Sequence, residues 1–165
     1  MADGTSTSAP ADTQTITAYL RVRGAADAID YYTKAFGAVE NPGRMTMPDG
    51  KIGHASMMIG NSEVMISDES GEWDSPGPAM LGGTTFSISM VVPNVDEVVA
   101  RAVEHGARLV YPVADQFYGH RSGRIYDPFG HCWVISTVIE EVSPEEMDRR
   151  MQAWAAENGE GANDG

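Results

Sequence analysis

Four histidines and one cysteine carry most of the chemistry this sequence could perform: His54, His105, His120, His131 and Cys132. No His-x-His or His-Glu-x-x-His spacing occurs, so no local run of residues builds a metal site. His54 opens an alternating apolar stretch and reads either as a pocket-lining base or as a plain strand residue. With Tyr19 and Glu63 it makes the set from which a metal-free acid/base pair could be drawn, because neutral imidazole is a suitable general base near pH 7. A divalent metal shared by His54 and His120 is the other chemistry open to the histidines. His105 stands at a helix end, where the dipole favours a cation, and reads as structural. His131 sits in a turn, packing toward a helix or capping the turn. Cys132 reads as a small strand filler, since nothing local stabilises its thiolate. Arg121 and Arg124 flank Ser122-Gly123. They read either as ion-pair partners of Asp127 or Asp115 or as recognition groups for a carboxylate or phosphate.

The elements that must position these groups follow from periodicity and punctuation. Asp127-Pro128-Phe129-Gly130 is a tight turn: proline biases Asp127 toward extended backbone, and Gly130 can take a positive φ. Cys132 to Val138 is then a half-buried strand. Earlier strands are predicted over Thr15–Arg23, Ala38–Met47, Ile52–Ile59 and Glu63–Ser67. Apolar residues at helical spacing place a helix over Ala25–Phe36, closed by Gly37. The stretch from Asp68 to Gly83, rich in Gly and Pro around Trp73, reads as a loop. Trp73 has no core to join there and reads as a lid or a dimer contact. The pattern then restarts: strand Thr85–Val92, helix Val95–His105 closed by Gly106, strand Arg108–Val113, polar loop Asp115–Arg121 and short strand Gly123–Tyr126. Ser143-Pro144-Glu145-Glu146 starts a last helix, with Ser143 as N-cap. Residues 1–14 and 158–165 have the composition of disordered tails.

The chain has 165 residues and a formal net charge of −13. That charge argues against nucleic acid, whose phosphates reward clustered Lys and Arg, and against anionic membrane surfaces. No apolar run reaches the roughly 20 residues of a membrane span. Met1 to Thr15 lacks the basic start and apolar core of a signal peptide. A lone cysteine forbids an intrachain disulfide, and a reducing cytoplasm is the simplest home.

The restart is a repeat at a spacing of about 69 residues, with Gly37-Ala38 answered by Gly106-Ala107 and Gly50-Lys51-Ile52 by Gly123-Arg124-Ile125. The fold class is therefore α+β: two βαβββ repeats whose helices cover one face of each sheet and leave the other concave. Strand parity assigns Thr17, Tyr19, Ser62, Val64, Ile66, Ser87, Ser89, Cys132, Val134 and Ser136 to the concave faces, with Met57 or Met58 nearby, and Trp133 to the core.

These segments resemble the vicinal oxygen chelate superfamily of glyoxalase I, extradiol dioxygenases, fosfomycin-resistance enzymes and bleomycin-binding proteins. The resemblance rests on Ala18-Tyr19-Leu20-Arg21-Val22 with the first helix, Met47-Pro48-Asp49-Gly50-Lys51-Ile52-Gly53-His54-Ala55, Val92-Pro93-Asn94-Val95-Asp96, and Tyr118 to Arg124 running into Asp127-Pro128-Phe129-Gly130-His131. The Pro-Asp-Gly-Lys-Ile-Gly-His and Asp-Pro-Phe-Gly-His pieces resemble the glyoxalase-like, demethylubiquinone-methyltransferase-like branch.

The resemblance implies a pocket lined by curved mixed sheets, often at a homodimer interface, and in the enzymes a divalent metal on His and Glu ligands. Carried over one by one, those ligand positions fall at Thr17, at Ile66 (with Met65 or Ser67 one residue away), at Ser87 (or Phe86 if the register slips) and at Val134. None is a good ligand. The expectation is a metal-free homodimer without a cofactor, holding a small, partly aromatic or hydrophobic molecule. The ligand-lining residues are then Thr17, Tyr19, His54, Met58, Ile66, Trp73, Ser87, Ser89, Arg121, Cys132, Val134 and Ser136. The alternative is a lyase, isomerase or oxygenase using His54, Tyr19 and Glu63, or a relocated divalent metal.

Overall fold

The computed structural model describes residues 14–158; of the tails expected over residues 1–14 and 158–165, residues 1–13 and 159–165 lie outside it. The chain divides into two compact units, residues 1–83 and 84–165.

In the first unit, β1 (Ala18–Val22) leads into α1 (Ala25–Phe36), then β2 (Val39–Glu40), β3 (Met45–Thr46), β4 (Ile52–Ile59), β5 (Ser62–Asp68) and the single turn α2 (Pro78–Leu81). The sheet order is β1-β5-β4-β2, with β3 also on β4. β1 and β5 run parallel; the other pairs are antiparallel. The strand expected from Ala38 to Met47 is in fact two short strands, because Pro42-Gly43 breaks it. The loop expected from Asp68 to Gly83 contains α2, opened by Pro78 at its first position.

α1 buries Ala25, Ala28, Ile29, Tyr31, Tyr32 and Ala35. Against them lie Leu20, Val22, Ala55, Met57, Ile59, Val64 and Ile66, all buried. Alternation in each strand leaves the opposite face open. The register puts Tyr19 beside Met65 and Arg21 beside Ser67. It puts Ser56 beside Met65 and Met58 beside Glu63.

The second unit repeats the plan: β6 (Ser87–Val91), α3 (Val95–Glu104), β7 (Arg108–Asp115), β8 (His120–Tyr126), β9 (Cys132–Val138) and α4 (Pro144–Asn158). Its sheet order is β6-β9-β8-β7, with β6 and β9 parallel. Val95, Val99 and Ala102 of α3 pack with the buried Ile125, Trp133 and Ile135. Both sheets are mixed, curved and open, as the α+β expectation has them. β8 begins at His120, three residues earlier than the sequence suggests. Gly130 holds φ 92, the conformation the turn before β9 requires.

α4 is held by charge and one aromatic contact. Ser143 Oγ accepts from Glu146 N at 3.3 Å, the cap its sequence predicts. Arg150 reaches both Glu146 and Glu140 and donates to Phe117 O, while Trp154 lies against Phe117 with ring centroids 5.7 Å apart. Hydrogen bonds from Arg149 and Arg150 hold the Glu146 carboxyl down at about 2, and Arg150 also lowers Glu140. A depressed folded pKa stabilises above the unfolded value and is lost as pH falls through the folded one. We therefore expect α4 to loosen between about pH 4.5 and 2, read as a change in Trp154 emission. Arg150→Ala should show the loosened signal already at neutral pH; an acid transition unchanged by that substitution would sink this account.

Candidate functional site

The open face of the first sheet carries the most developed polar constellation in that unit. It starts from alternation in β1, which turns Tyr19 and Arg21 to the same side. Tyr19 reaches across β5, and its hydroxyl stands 2.8 Å from His54 Nδ1 on β4. In one tautomer the phenol donates to the imidazole; in the other Nδ1–H donates to the phenol oxygen. The two rings meet edge-on, with centroids 5.6 Å apart. The Arg21 guanidinium sits 3.8 Å above the Tyr19 ring and donates to Ser67 Oγ. It fixes the ring by a cation–π contact and covers one of its faces.

A cavity of about 500 Å³ opens beside this group. Its walls are Tyr19 and Arg21 from β1, the turn from Met47 to Gly53, the end of β5 from Ser67 to Glu69, and the loop carrying Trp73. That loop is closed by paired backbone bonds between Ser70 and Ser75, with Asp74 in the left-handed region at φ 48. The indole at its tip is 68% exposed while lining the cavity. At the other end, Gly77 passes so close to Arg21 O that a Cβ there would stand 2.7 Å away.

The floor is organised by Asp68. Its Oδ1 accepts from Gly24 N at 2.8 Å and Ala25 N at 3.1 Å, and its Oδ2 accepts from Ile52 N at 2.8 Å. One carboxylate thus closes the start of α1, where Gly24 offers no side-chain cap, and ties β4 to β5. Glu69 beside it is engaged by Arg23 at 2.6 Å, and Lys51 by Asp49 at 3.2 Å.

Tyr19, His54 and Trp73 are therefore brought to one cavity or its edge. Glu63 is not: it takes a hydrogen bond from Asn41 Nδ2 at 3.1 Å, and Met65 lies between its strand position and Tyr19. Met58 shares the open face, half-buried, and Thr17 stands half-buried just before β1. Ile66 corrects the expected parity. It is 0% exposed on the helix-packed face, together with Val64, so Met65 and Ser67 face the open side instead.

On the second sheet, register places Ser87, Ser89, Cys132, Val134 and Ser136 on one face, opposite Trp133 and Ile135. Arg121 is turned away from that face. It forms a forked pair with Asp96 at 2.8 Å and a further bond to Asp115 at 2.8 Å, so its assignment as a ligand-binding residue gives way to an ion pair. This pairing also holds the Asp96 carboxyl below the usual range. Asp127, the other partner weighed for Arg121, is instead buried in its own turn.

The divalent metal that the resemblance implies does not fit the residues at its four ligand positions. A hydroxyl stands at Thr17 and Ser87 and hydrocarbon at Ile66 and Val134, and Ile66 is packed against α1. Among the described residues no three His, Cys, Asp or Glu side chains gather as a metal site. Likewise among the described residues, no helix is long and apolar enough to cross a membrane.

Arg21 and Asp68 are not singled out as site residues by the sequence, and Ser67 enters only as a neighbour of a ligand position that the resemblance implies. Arg21 had a signal: it lies two residues from Tyr19 in a strand, hence on the same face. Asp68 has none, since its role arises from partners far along the chain.

Comparison with known proteins places this geometry in context. Residues 14–135 match the family model of the Glyoxalase/Bleomycin resistance protein/Dioxygenase superfamily. The chain is 41% identical over 138 residues to protein Rv0887c of Mycobacterium tuberculosis, covering 82% of this chain and 81% of that one. Among solved structures, TioX from Micromonospora sp. ML1 is similar with a TM-score of 0.59 and 28% identity, over 74% of this chain and 97% of that one. The PhnB protein of Bacillus cereus shares the fold with a TM-score of 0.61 and 17% identity, over 75% and 99%.

Proposed function

The chain belongs to the glyoxalase/bleomycin resistance protein/dioxygenase superfamily, and within it we propose that this member binds a small, partly aromatic or hydrophobic molecule in the first unit's cavity, sequestering it without metal. The observation that carries this reading is the cavity itself. About 500 Å³ of space has apolar walls at Tyr19, Met47, Pro48, Ile52 and Trp73, interleaved with Arg21, Lys51 and the carboxylates of Asp49, Asp68, Glu69 and Glu72. That is the size of small-molecule sites, in which apolar and aromatic walls supply affinity and polar atoms fix orientation; here the polar share is large, so the ligand that fits carries polar groups beside its apolar part. Arg21 and His54 hold Tyr19 in one place, so little ordering remains to be done on binding.

The test is a titration of planar aromatic compounds followed by tryptophan emission. We expect saturable quenching that Trp73→Phe removes from the signal. Tyr19→Ala should weaken binding roughly tenfold or more, since it takes away a fixed aromatic wall. Quenching that persists in Trp73→Phe, or no saturable quenching across the panel, would overturn the reading.

One observation favours a second reading. The 2.8 Å bond between Tyr19 and His54 joins two groups that can exchange a proton, at the edge of a cavity. As a metal-free enzyme the chain would use this pair as acid and base. His54→Ala would then abolish turnover while changing stability by less than about 1 kcal/mol, because the bond it removes is largely solvent-exposed. A binding protein would lose only affinity in the same variant.

A further inference from the structure

We propose that the open face of the second sheet is a separate binding site, for a small molecule carrying a tetrahedral dianion such as a phosphate monoester or phosphonate. Its anchors are Arg108 and Arg124. The site uses residues of the second unit alone and does not depend on the reading of the first unit's cavity.

The argument begins with how this chain treats its arginines. Acids outnumber Lys and Arg by 24 to 11. Arg23, Arg44, Arg121, Arg149 and Arg150 each lie on a carboxylate. Among the described residues, Arg108 and Arg124 do not. Their side chains lie on aromatic rings instead: Arg108 stands 4.9 Å from the Tyr126 ring centroid, and Arg124 stands 5.0 Å from that of Tyr111.

Strand register explains the arrangement. Arg108 of β7 faces Tyr126 of β8, and Tyr111 of β7 faces Arg124 of β8. The four side chains make a crossed quartet on adjacent strands. Diagonal neighbours in such a ladder have β-carbons on the order of 7–8 Å apart, within reach of one ligand for two long side chains. A guanidinium laid on a ring keeps its in-plane N–H groups directed outward. Those donors match the oxygens of a phosphate, and the ring contact has already ordered the side chain.

The surroundings fit the same chemistry. The same face carries Ser87 and Ser89 of β6, both exposed, while Ser122 of β8 and Ser136 of β9 lie buried further along it. Ser122 Oγ lies 3.3 Å from the Tyr118 hydroxyl, and Ser136 Oγ lies 3.4 Å from His120 Nδ1. Of the four, the exposed Ser87 and Ser89 can donate to an oxyanion held on this face. The four strands contain one acid, Asp115, and it is bound to Arg121. A protein of net charge −13 repels anions at long range, so a face that excludes carboxylates and leaves two guanidiniums without them supplies the local attraction an anion needs. Two cations with hydroxyl donors suit a dianion with three equivalent oxygens better than a planar monoanion.

The experiment is titration of the full chain with phenyl phosphate, inorganic phosphate and, as the uncharged control, phenol, by amide-resolved NMR with calorimetry at low ionic strength. We expect saturable shifts at Arg124, Tyr111, Tyr126 and Ser89 with both phosphates and none at these positions with phenol. Arg124→Gln and Arg108→Gln should each weaken phenyl phosphate at least tenfold. Arg124→Lys should recover only part of the loss, because it restores charge without the fork. Arg121→Gln, which breaks a pair on the other face, should leave affinity within twofold. No saturable shift on this face in the unmodified chain would overturn the proposal, as would equal weakening by Arg121→Gln and Arg124→Gln, which marks diffuse charge rather than a site. Were the glutamine variants to misfold, the map on the unmodified chain and the lysine variant would still decide.

Discussion

Asp127→Ala will destabilise the second unit by about 4 kcal/mol, read as a lower urea midpoint followed by Trp133 emission. Asp127 is only 5% exposed, and its two oxygens serve three donors. Oδ1 accepts from Phe129 N and His131 N, each at 2.9 Å; Oδ2 accepts from the Trp133 indole N–H at 2.8 Å. Alanine would leave these donors without the acceptor, in a place water does not reach, and such groups cost about 1–3 kcal/mol each before relaxation. Asp127→Asn separates the roles. Its amide oxygen can replace Oδ1, but its NH₂ would oppose the indole N–H, so it should cost roughly half as much. A loss below about 1 kcal/mol for the alanine variant would show that the turn forms from proline and glycine geometry without the carboxylate.

Asp68→Ala should cost about 3 kcal/mol and should also abolish ligand binding in the first unit's cavity. The carboxylate caps α1 through Gly24 N and Ala25 N and anchors β4 through Ile52 N, and it lines the cavity floor. The second repeat solves the same problem with a hydroxyl. Thr137 Oγ1 accepts from Val95 N at 2.9 Å and donates to Val92 O at 2.9 Å. Asp68→Thr would therefore retain the helix cap and lose the bond to Ile52. We expect it to recover more than half of the stability while the turn from Met47 to Gly53 loses its anchor and affinity stays low. Denaturation midpoints and the quenching titration, taken on both variants, check the two parts separately. Recovery of full affinity in Asp68→Thr would show that the bond to Ile52 does not shape the cavity.

The sequence by itself determined what short-range patterning controls. α1 runs from Ala25 to Phe36, β4 from Ile52 to Ile59 and β9 from Cys132 to Val138, each with the bounds its periodicity and flanking glycine or turn predict. The repeat, the α+β class and two curved sheets with helices on one side follow from the same signals, because each helix and strand must bury one face. Local pattern fails where apolar residues run together. Val64, Met65 and Ile66 are consecutive, so composition does not say which of them faces α1; pairing with β1 and β4 decides, and it buries Val64 and Ile66. The start of β8 was hidden in a polar stretch. Once the strand begins at His120, the three-residue offset between Arg121 and Arg124 puts them on opposite faces, one on Asp96 and Asp115, the other on Tyr111.

Only the tertiary structure decided which distant residues meet. Tyr19 and His54 are 35 residues apart and Asp68 lies 44 from Gly24, and nothing in their own neighbourhoods announces the contact. The cavity exists because the Met47–Gly53 turn and the Trp73 loop, each weakly patterned alone, close over the ends of β1 and β5. Secondary structure is written in periods of two and 3.6 residues, which a single chain displays openly. A site is written in strand register and loop closure, which depend on long-range pairing and leave no periodic trace.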